Sequence, residues 1–206
     1  MRRLVLQMMT TLNGRLDSPF EWVTGVSDDQ YRAIEAHYQT YDTILVGRNT
    51  ADEMIAYWPS ALESGEGTQS NQRMAQHMHD YRKLVFSCSG RALPAWNNAE
   101  LVVTADDEAL AARITALKKE AGRDIQLSGG SEFARAVIAL GLVDVYRFFV
   151  YPTVAAGPSW FGGLRHKHDM ALVSATSFEN GVVELTYEAR GLIDMGSPQR
   201  FTELLA

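Results

Sequence analysis

The chain has 206 residues, 46% hydrophobic and 21% charged, the balance of an ordinary globular domain. A formal net charge of −6 with no basic cluster argues against a nucleic-acid or anionic-membrane partner. The apolar run Leu4-Val5-Leu6 stops at Gln7, too short for a signal-peptide core, and no stretch approaches a membrane span.

The single cysteine, Cys88, excludes an intramolecular disulfide and a multi-cysteine metal site. The expectation is one domain over residues 1–190 with a tail at 191–206, working in the cytoplasm without a metal.

Residues 2–9 read as a buried strand. A polar loop then runs from Thr10 through Asn13, Gly14, Pro19 and Trp22 to Ser27. Long loops inside compact domains often carry function, and Phe20 and Trp22 suggest that part of this one packs. Ser27-Asp28-Asp29 starts a helix carrying Tyr31, Ile34, Ala36, Tyr38 and Tyr41.

Thr43–Val46 is an apolar strand ending at Gly47-Arg48-Asn49-Thr50, and Thr50 with Glu53 has the spacing of a capping box. Residues 58–72 read as an exposed connection and Arg73–Tyr81 as a short helix. Lys83–Phe86 and Leu101–Thr104 are further strands, and Asp106 starts a helix closed by Gly122.

Ile125–Leu127 is a strand. It turns through Ser128-Gly129-Gly130-Ser131 into a helix, Glu132–Leu140, and a strand follows at Val143–Tyr151. Thr153–Gly163 reads as a loop. Asn180-Gly181 joins the runs 171–178 and 182–189 as a hairpin, and Phe201, Leu204 and Leu205 are candidates to dock the tail. The order predicts an α/β fold: a mostly parallel central sheet flanked by helices, with an antiparallel C-terminal hairpin.

Three apolar strands end in polar turns: Gly47–Thr50, Ser87–Arg91 and Ser128–Ser131. Parallel strand C-termini share one edge, where ligands bind. Two helix starts, Arg48, Arg91 and several hydroxyls suit an extended anion such as a dinucleotide with an extra ribose phosphate. The spacing is not the Rossmann glycine fingerprint. For the serine and glycine turn, a tight turn that binds nothing is the competing reading; for Cys88, a packed thiol is favoured over a nucleophile. The His77/His79 and His166/His168 pairs do not have metal-site spacing.

Taken in order, TLNGRL (from Thr11), TILVGRNTADEM, YWP, KLVFS, IQLSGGSEFARAVIALGLVDVYRFFVYPTVAAGPSWF and NGVVELTY resemble the dihydrofolate reductase-like superfamily. The match is to the branch that includes the reductase domain of riboflavin biosynthesis. The resemblance implies a reductase using NADPH on a small heterocyclic or carbonyl-bearing substrate. It implies that Gly47, Arg48, Asn49, Thr50 and Ser87 face the adenosine and its phosphate, and that Ser128, Gly129, Gly130, Ser131 and Glu132 line the pyrophosphate and nicotinamide side. Thr11, Asn13 and Gly14 would lie over the nicotinamide, and Pro152-Thr153 would close the substrate pocket.

Two positions depart from the pattern. Tyr31 stands near where folate-reducing enzymes carry an acid, and Asn13 where many relatives carry Asp. Dihydrofolate is therefore not the expected substrate, and the proton donor is left among Tyr31, Asp17 and water. Trp22, Tyr31, Trp58 and Tyr151 are candidates for an aromatic wall beside a planar substrate. A ribosyl-pyrimidine reductase and a non-catalytic ligand-binding protein of the same fold are the alternatives. A homodimer through the terminal hairpin is expected.

Overall fold

In the computed structural model, which describes residues 1–159, 164 and 166–193, the first strand β1 (Leu4–Thr11) lies inside an eight-stranded sheet. The elements that follow are α1 (Asp28–Tyr38), β2 (Tyr41–Gly47), α2 (Arg48–Ser64), α3 (Gln69–Asp80), β3 (Arg82–Ser87) and β4 (Ala99–Val103). Then come α4 (Asp107–Lys119), β5 (Asp124–Gly129), α5 (Ser131–Ala139), β6 (Val145–Tyr151), β7 (Lys167–Ser177) and β8 (Val183–Ile193). The strand order is β4-β3-β2-β5-β1-β6-β8-β7. The first six are parallel neighbours, and the β7–β8 hairpin adds two antiparallel strands.

Helices cover both faces, so the inner strands are apolar almost throughout. Leu4, Leu6, Leu45, Leu84, Ile125 and Leu127 pack beneath α4 and α5 against Leu110, Ile114, Val137 and Ile138. On the other face Val5, Ile44, Val145 and Phe149 meet Ile34 and Tyr38 of α1 and Met74 and Met78 of α3. Gln7 and Gln126 interrupt this second face, both buried.

Several expected boundaries move. β1 takes in Thr10 and Thr11, which pair with Val150 and Tyr151 of β6. Tyr41, expected to extend α1, starts β2. The connection expected at 58–72 is mostly helix: α2 runs through Pro59 to Ser64, and α3 starts at Gln69, with the Thr68 hydroxyl accepting from the Asn71 amide. Pro59 and the polar composition mimic a break. Packing of α2 on α3, with Gln72 donating to the Ala61 carbonyl at 3.0 Å, outweighs the proline's local penalty.

The Thr50/Glu53 box does not form. α2 starts three residues earlier, at Arg48, with Gly47 as its N-cap. α4 ends with Glu120 as its C-cap, ahead of Gly122. The Asn180-Gly181 turn is as expected, with the Phe178 N–H donating to the Val182 carbonyl and the Gly181 N–H to the Phe178 carbonyl, while β7 starts four residues earlier and β8 extends to Ile193. Residues 160–163 of the expected loop, and Phe201, Leu204 and Leu205, lie outside the described residues. No helix among the described residues is long and apolar enough to cross a membrane.

Candidate active site

Because β1, β2, β3, β5 and β6 are parallel, their C-terminal ends share one edge of the sheet. β5 returns between β2 and β1, so connections leave this edge in opposite directions and open a crevice. Two helices start there, α2 directly after β2 and α5 directly after β5. Each has a glycine N-cap, Gly47 and Gly130, and neither has a side-chain cap bond, so their first N–H groups remain available.

These two starts lie side by side. A methyl group on Gly47 would sit 2.9 Å from Cβ of Phe133 and 3.8 Å from the Gly130 nitrogen. One on Gly130 would sit 2.6 Å from Oγ1 of Thr50. Only glycine allows this approach, and the result is bare backbone at two positive helix ends. Gly129 takes φ 108° against the Met8 side chain, and the Gly129–Gly130 peptide is cis.

Around this centre the structure distributes the other expected residues unevenly. Arg48 Nε binds Asp52 at 3.0 Å, while its two terminal nitrogens donate to the carbonyls of Arg91 (2.7 Å) and Ala92 (3.2 Å). Its guanidinium thus ties the loop after β3 to α2. Arg91 reaches the other Asp52 oxygen at 2.6 Å and stays 64% exposed. Ser87 accepts from the Ser89 amide at 3.1 Å, and Asn49 and Glu132 are exposed. Cys88, expected to pack, is exposed as well.

Thr11, Asn13 and Gly14 form a tight turn at the end of β1. The Thr11 hydroxyl donates to Oδ1 of Asn13 and accepts from the Arg15 amide. The Asn13 amide group brackets Ala155: Nδ2 donates to its carbonyl at 2.9 Å, and Oδ1 accepts from its N–H at 3.2 Å. Leu12 N–H donates to the Thr153 carbonyl, so the turn is latched to the chain after Pro152, which is itself exposed.

Beside the crevice, on the α1 face of the sheet, is a cavity of about 220 Å³. Its floor is Gln7, Met9, Gln126, Ser128 and Phe149, and its walls are Tyr31, Ile34 and Tyr38 of α1, Trp58 of α2 and Met74 of α3. Tyr31 and Trp58 are thus on its wall.

Trp22 and Tyr151 are not. Both are core residues packed edge to face at 5.7 Å, and the Tyr151 hydroxyl is held by Gln30 and the Gly25 carbonyl. Trp22 draws its loop inward, whereas Phe20 is 96% exposed.

Among the described residues no charged side chain lines the cavity. Asp28 is exposed. Asp29 binds the Ser27 hydroxyl and the N–H groups of Gln30 and Glu179, and these bonds, Ser27's foremost, hold its carboxyl below the usual range. Asp17 is paired with Arg15. Burial pushes the Tyr38 phenol up to about 12, against the hydrogen bonds of Gln126 and Ser128, so it stays protonated at neutral pH.

A second groove of about 540 Å³ adjoins the cavity at Tyr31, lined by Tyr57, Ser60, Ser64, Thr68 and Asn71, with Glu66 as its charged residue. Sequence reasoning missed Gln7 and Gln126. The available signal was a glutamine inside each of two otherwise apolar parallel strands, where a buried amide needs partners.

The RibD C-terminal domain family model matches residues 2–184 of this chain. The chain belongs to the RibD C-terminal domain family. Over 191 residues it is 26% identical to the uncharacterized protein YyaP of Bacillus subtilis, covering 92% of this chain and 96% of YyaP. Two solved structures share the fold. A candidate riboflavin biosynthesis protein from Shewanella sp. PV-4 has a TM-score of 0.67 at 16% identity, covering 92% of this chain and 99% of that one. Dihydrofolate reductase from Enterococcus faecalis, complexed with NADP(H), has a TM-score of 0.55 at 14% identity, covering 91% and 96%. Within the RibD C-terminal domain fold, the crevice and cavity thus lie on the dihydrofolate reductase-like sheet, at the ends of its parallel strands.

Proposed function

We propose that this chain is an NADPH-dependent reductase acting on a small, uncharged heterocyclic or carbonyl- or imine-bearing substrate other than dihydrofolate. The observation that carries this reading is the pair of uncapped helix starts meeting at Gly47 and Gly130, directly beside a cavity whose described lining residues are uncharged. Two positive helix ends with bare backbone fit a pyrophosphate. The RibD-family membership and the NADP(H) complex of the Enterococcus faecalis relative support the same assignment.

When bound, NADPH supplies the hydride; the protein binds, orients and excludes water. In this reading the N–H groups at the starts of α2 and α5 hold the pyrophosphate, with Thr50 and Ser131 beside them. Asn49, Ser87 and the exposed guanidinium of Arg91 face the ribose phosphate. Arg48 positions that loop through the Arg91 and Ala92 carbonyls. The Thr11–Gly14 turn, latched to Thr153 and Ala155, covers the nicotinamide side. Tyr31 and Tyr38 bring two phenols to the cavity from α1, and the Tyr38 hydroxyl is engaged by Gln126; with no carboxylate among the described lining residues, this reading assigns proton delivery to the Tyr31 hydroxyl or to water.

The uncharged cavity and the Glu66-bearing groove argue against a phosphoribosyl substrate, the chief competing enzyme reading. The lack of a carboxylate in the cavity favours the non-catalytic alternative. Titration with NADPH and NADH while following melting temperature, then NADPH oxidation over a panel of pterins, flavin precursors and quinones, separates these readings. NADPH is expected to raise the melting temperature more than NADH. No change at millimolar NADPH overturns the cofactor assignment, and equal effects overturn the roles of Ser87 and Arg91.

We also infer a homodimer through the edge strand β7, where Leu172 and Val173 are more than half exposed. Light scattering on the wild type and on Leu172→Lys tests it: a dimer that the variant dissociates is expected, and a monomeric wild type ends the inference.

A further inference from the structure

We propose that Gln7 and Gln126 are the specificity-determining pair of the cavity, together reading one edge of a neutral planar ligand that carries a hydrogen-bond donor beside an acceptor, as in an amide or lactam. The proposal rests on the cavity being the substrate site. Both glutamines are buried and line the cavity floor from adjacent parallel strands. Val5 is the register partner of Gln126, so Gln7 lies two residues further along β1 on the same face.

Each amide has one end held by the protein. Gln7 Oε1 accepts from the Tyr41 hydroxyl at 3.0 Å and from Arg147 at 3.4 Å. Arg147 also donates to the Tyr41 oxygen at 2.6 Å, and arginine has no acceptor. The Tyr41 proton is therefore directed at Gln7, which fixes the carbonyl of Gln7 toward this pair. Its Nε2 donates to none of the described residues and is the end left for a ligand.

Gln126 is held the other way round. Its Nε2 donates to the Tyr38 hydroxyl at 2.9 Å, and its Oε1, buried, has no partner among the described residues. The floor thus offers one donor and one acceptor from neighbouring strands. A carbonyl next to an N–H on a ring edge matches both, and such a ligand relieves the unpaired Gln126 oxygen. With no charged side chain on the lining among the described residues, an anionic head group is not accommodated.

The test uses three near-isosteric probes: 2-quinolone, N-methyl-2-quinolone and quinoline, titrated calorimetrically into the full chain without NADPH. The wild type is expected to bind 2-quinolone at least about tenfold tighter than either analogue. Gln126→Met, checked for folding by circular dichroism, should bring 2-quinolone and its N-methyl analogue to within about twofold of each other.

A wild-type preference below about threefold, no 2-quinolone binding at millimolar concentration, or a preference surviving in Gln126→Met overturns the proposal. Should Gln126→Met fail to fold, the wild-type ratio alone decides. Because NADPH is absent, the two readings fail separately. A preserved quinolone preference with no NADPH effect on melting overturns the reductase reading and leaves the pair standing; the reverse overturns the pair alone.

Discussion

Gly130 lies so close to Thr50 that a methyl group on it would sit 2.6 Å from the threonine Oγ1 and 3.7 Å from its Cβ. The contact joins the first turn of α2 to the start of α5 and fixes the spacing of the two helix ends that form the proposed cofactor cradle. Gly130→Ala should therefore destabilise the fold by about 1–3 kcal/mol, the usual cost of overpacking. It should also weaken NADPH binding. Adding Thr50→Ala removes the clashing oxygen and should recover most of the stability. Urea denaturation of the two single variants and the double variant, read as a cycle, checks this.

Asn13 acts as a latch, its amide group bonded to both backbone groups of Ala155. Asn13→Ala should cost about 1 kcal/mol, since the side chain is exposed and water replaces part of the loss. The larger effect should be on mobility. Limited proteolysis is expected to cut the variant faster within residues 12–18, and NADPH should slow the cut.

Glu184 is buried beneath His37 and Arg147, accepting from His37 at 2.9 Å. Burial raises its pKa, but the His37 hydrogen bond and charge and the Arg147 charge outweigh that, leaving it below its usual 4.5. The unfolded chain takes up the proton first as pH falls, so the stabilisation is complete above pH 4.5 and is lost through the lower folded value. Glu184→Gln should be less stable than the wild type at pH 7, with the difference shrinking toward pH 3. Urea midpoints at several pH values measure it.

Lys83 is fully buried, donating to the Met78 and His79 carbonyls at 2.6 and 3.1 Å and standing 4.9 Å over the Trp96 ring. Desolvation lowers its pKa from 10.5 to about 8. Between those values the unfolded chain holds the extra proton, so this group makes stability rise with pH, by up to about 3 kcal/mol. Lys83→Met should lose that rise between pH 8 and 10.5, seen in the difference between wild-type and variant urea midpoints.

The strand ends were legible because a buried parallel strand must end in a polar turn, and three such turns in one chain imply a shared edge. The helix at residues 48–64 was misread at Pro59, since local propensity does not register packing on a neighbouring helix. Trp22 and Tyr151 illustrate the same limit. Their types suit a ligand wall, but the residues pack on each other in the core instead.

From the sequence alone followed the α/β class, the strand and helix order, the turns at Gly47, Ser87 and Gly129, and the resemblance that family membership bears out. Apart from the resemblance, these depend on periodicity and turn chemistry, which act over a few residues. Tertiary structure alone decided that Gly130 meets Thr50, that Arg48 is tied to the loop after β3, and that Gln7 and Gln126 share one cavity floor. Those relationships join residues from 43 to more than 100 positions apart: the Arg48 tie arises because β2 pairs with β3, and the other two because β5 returns between β2 and β1.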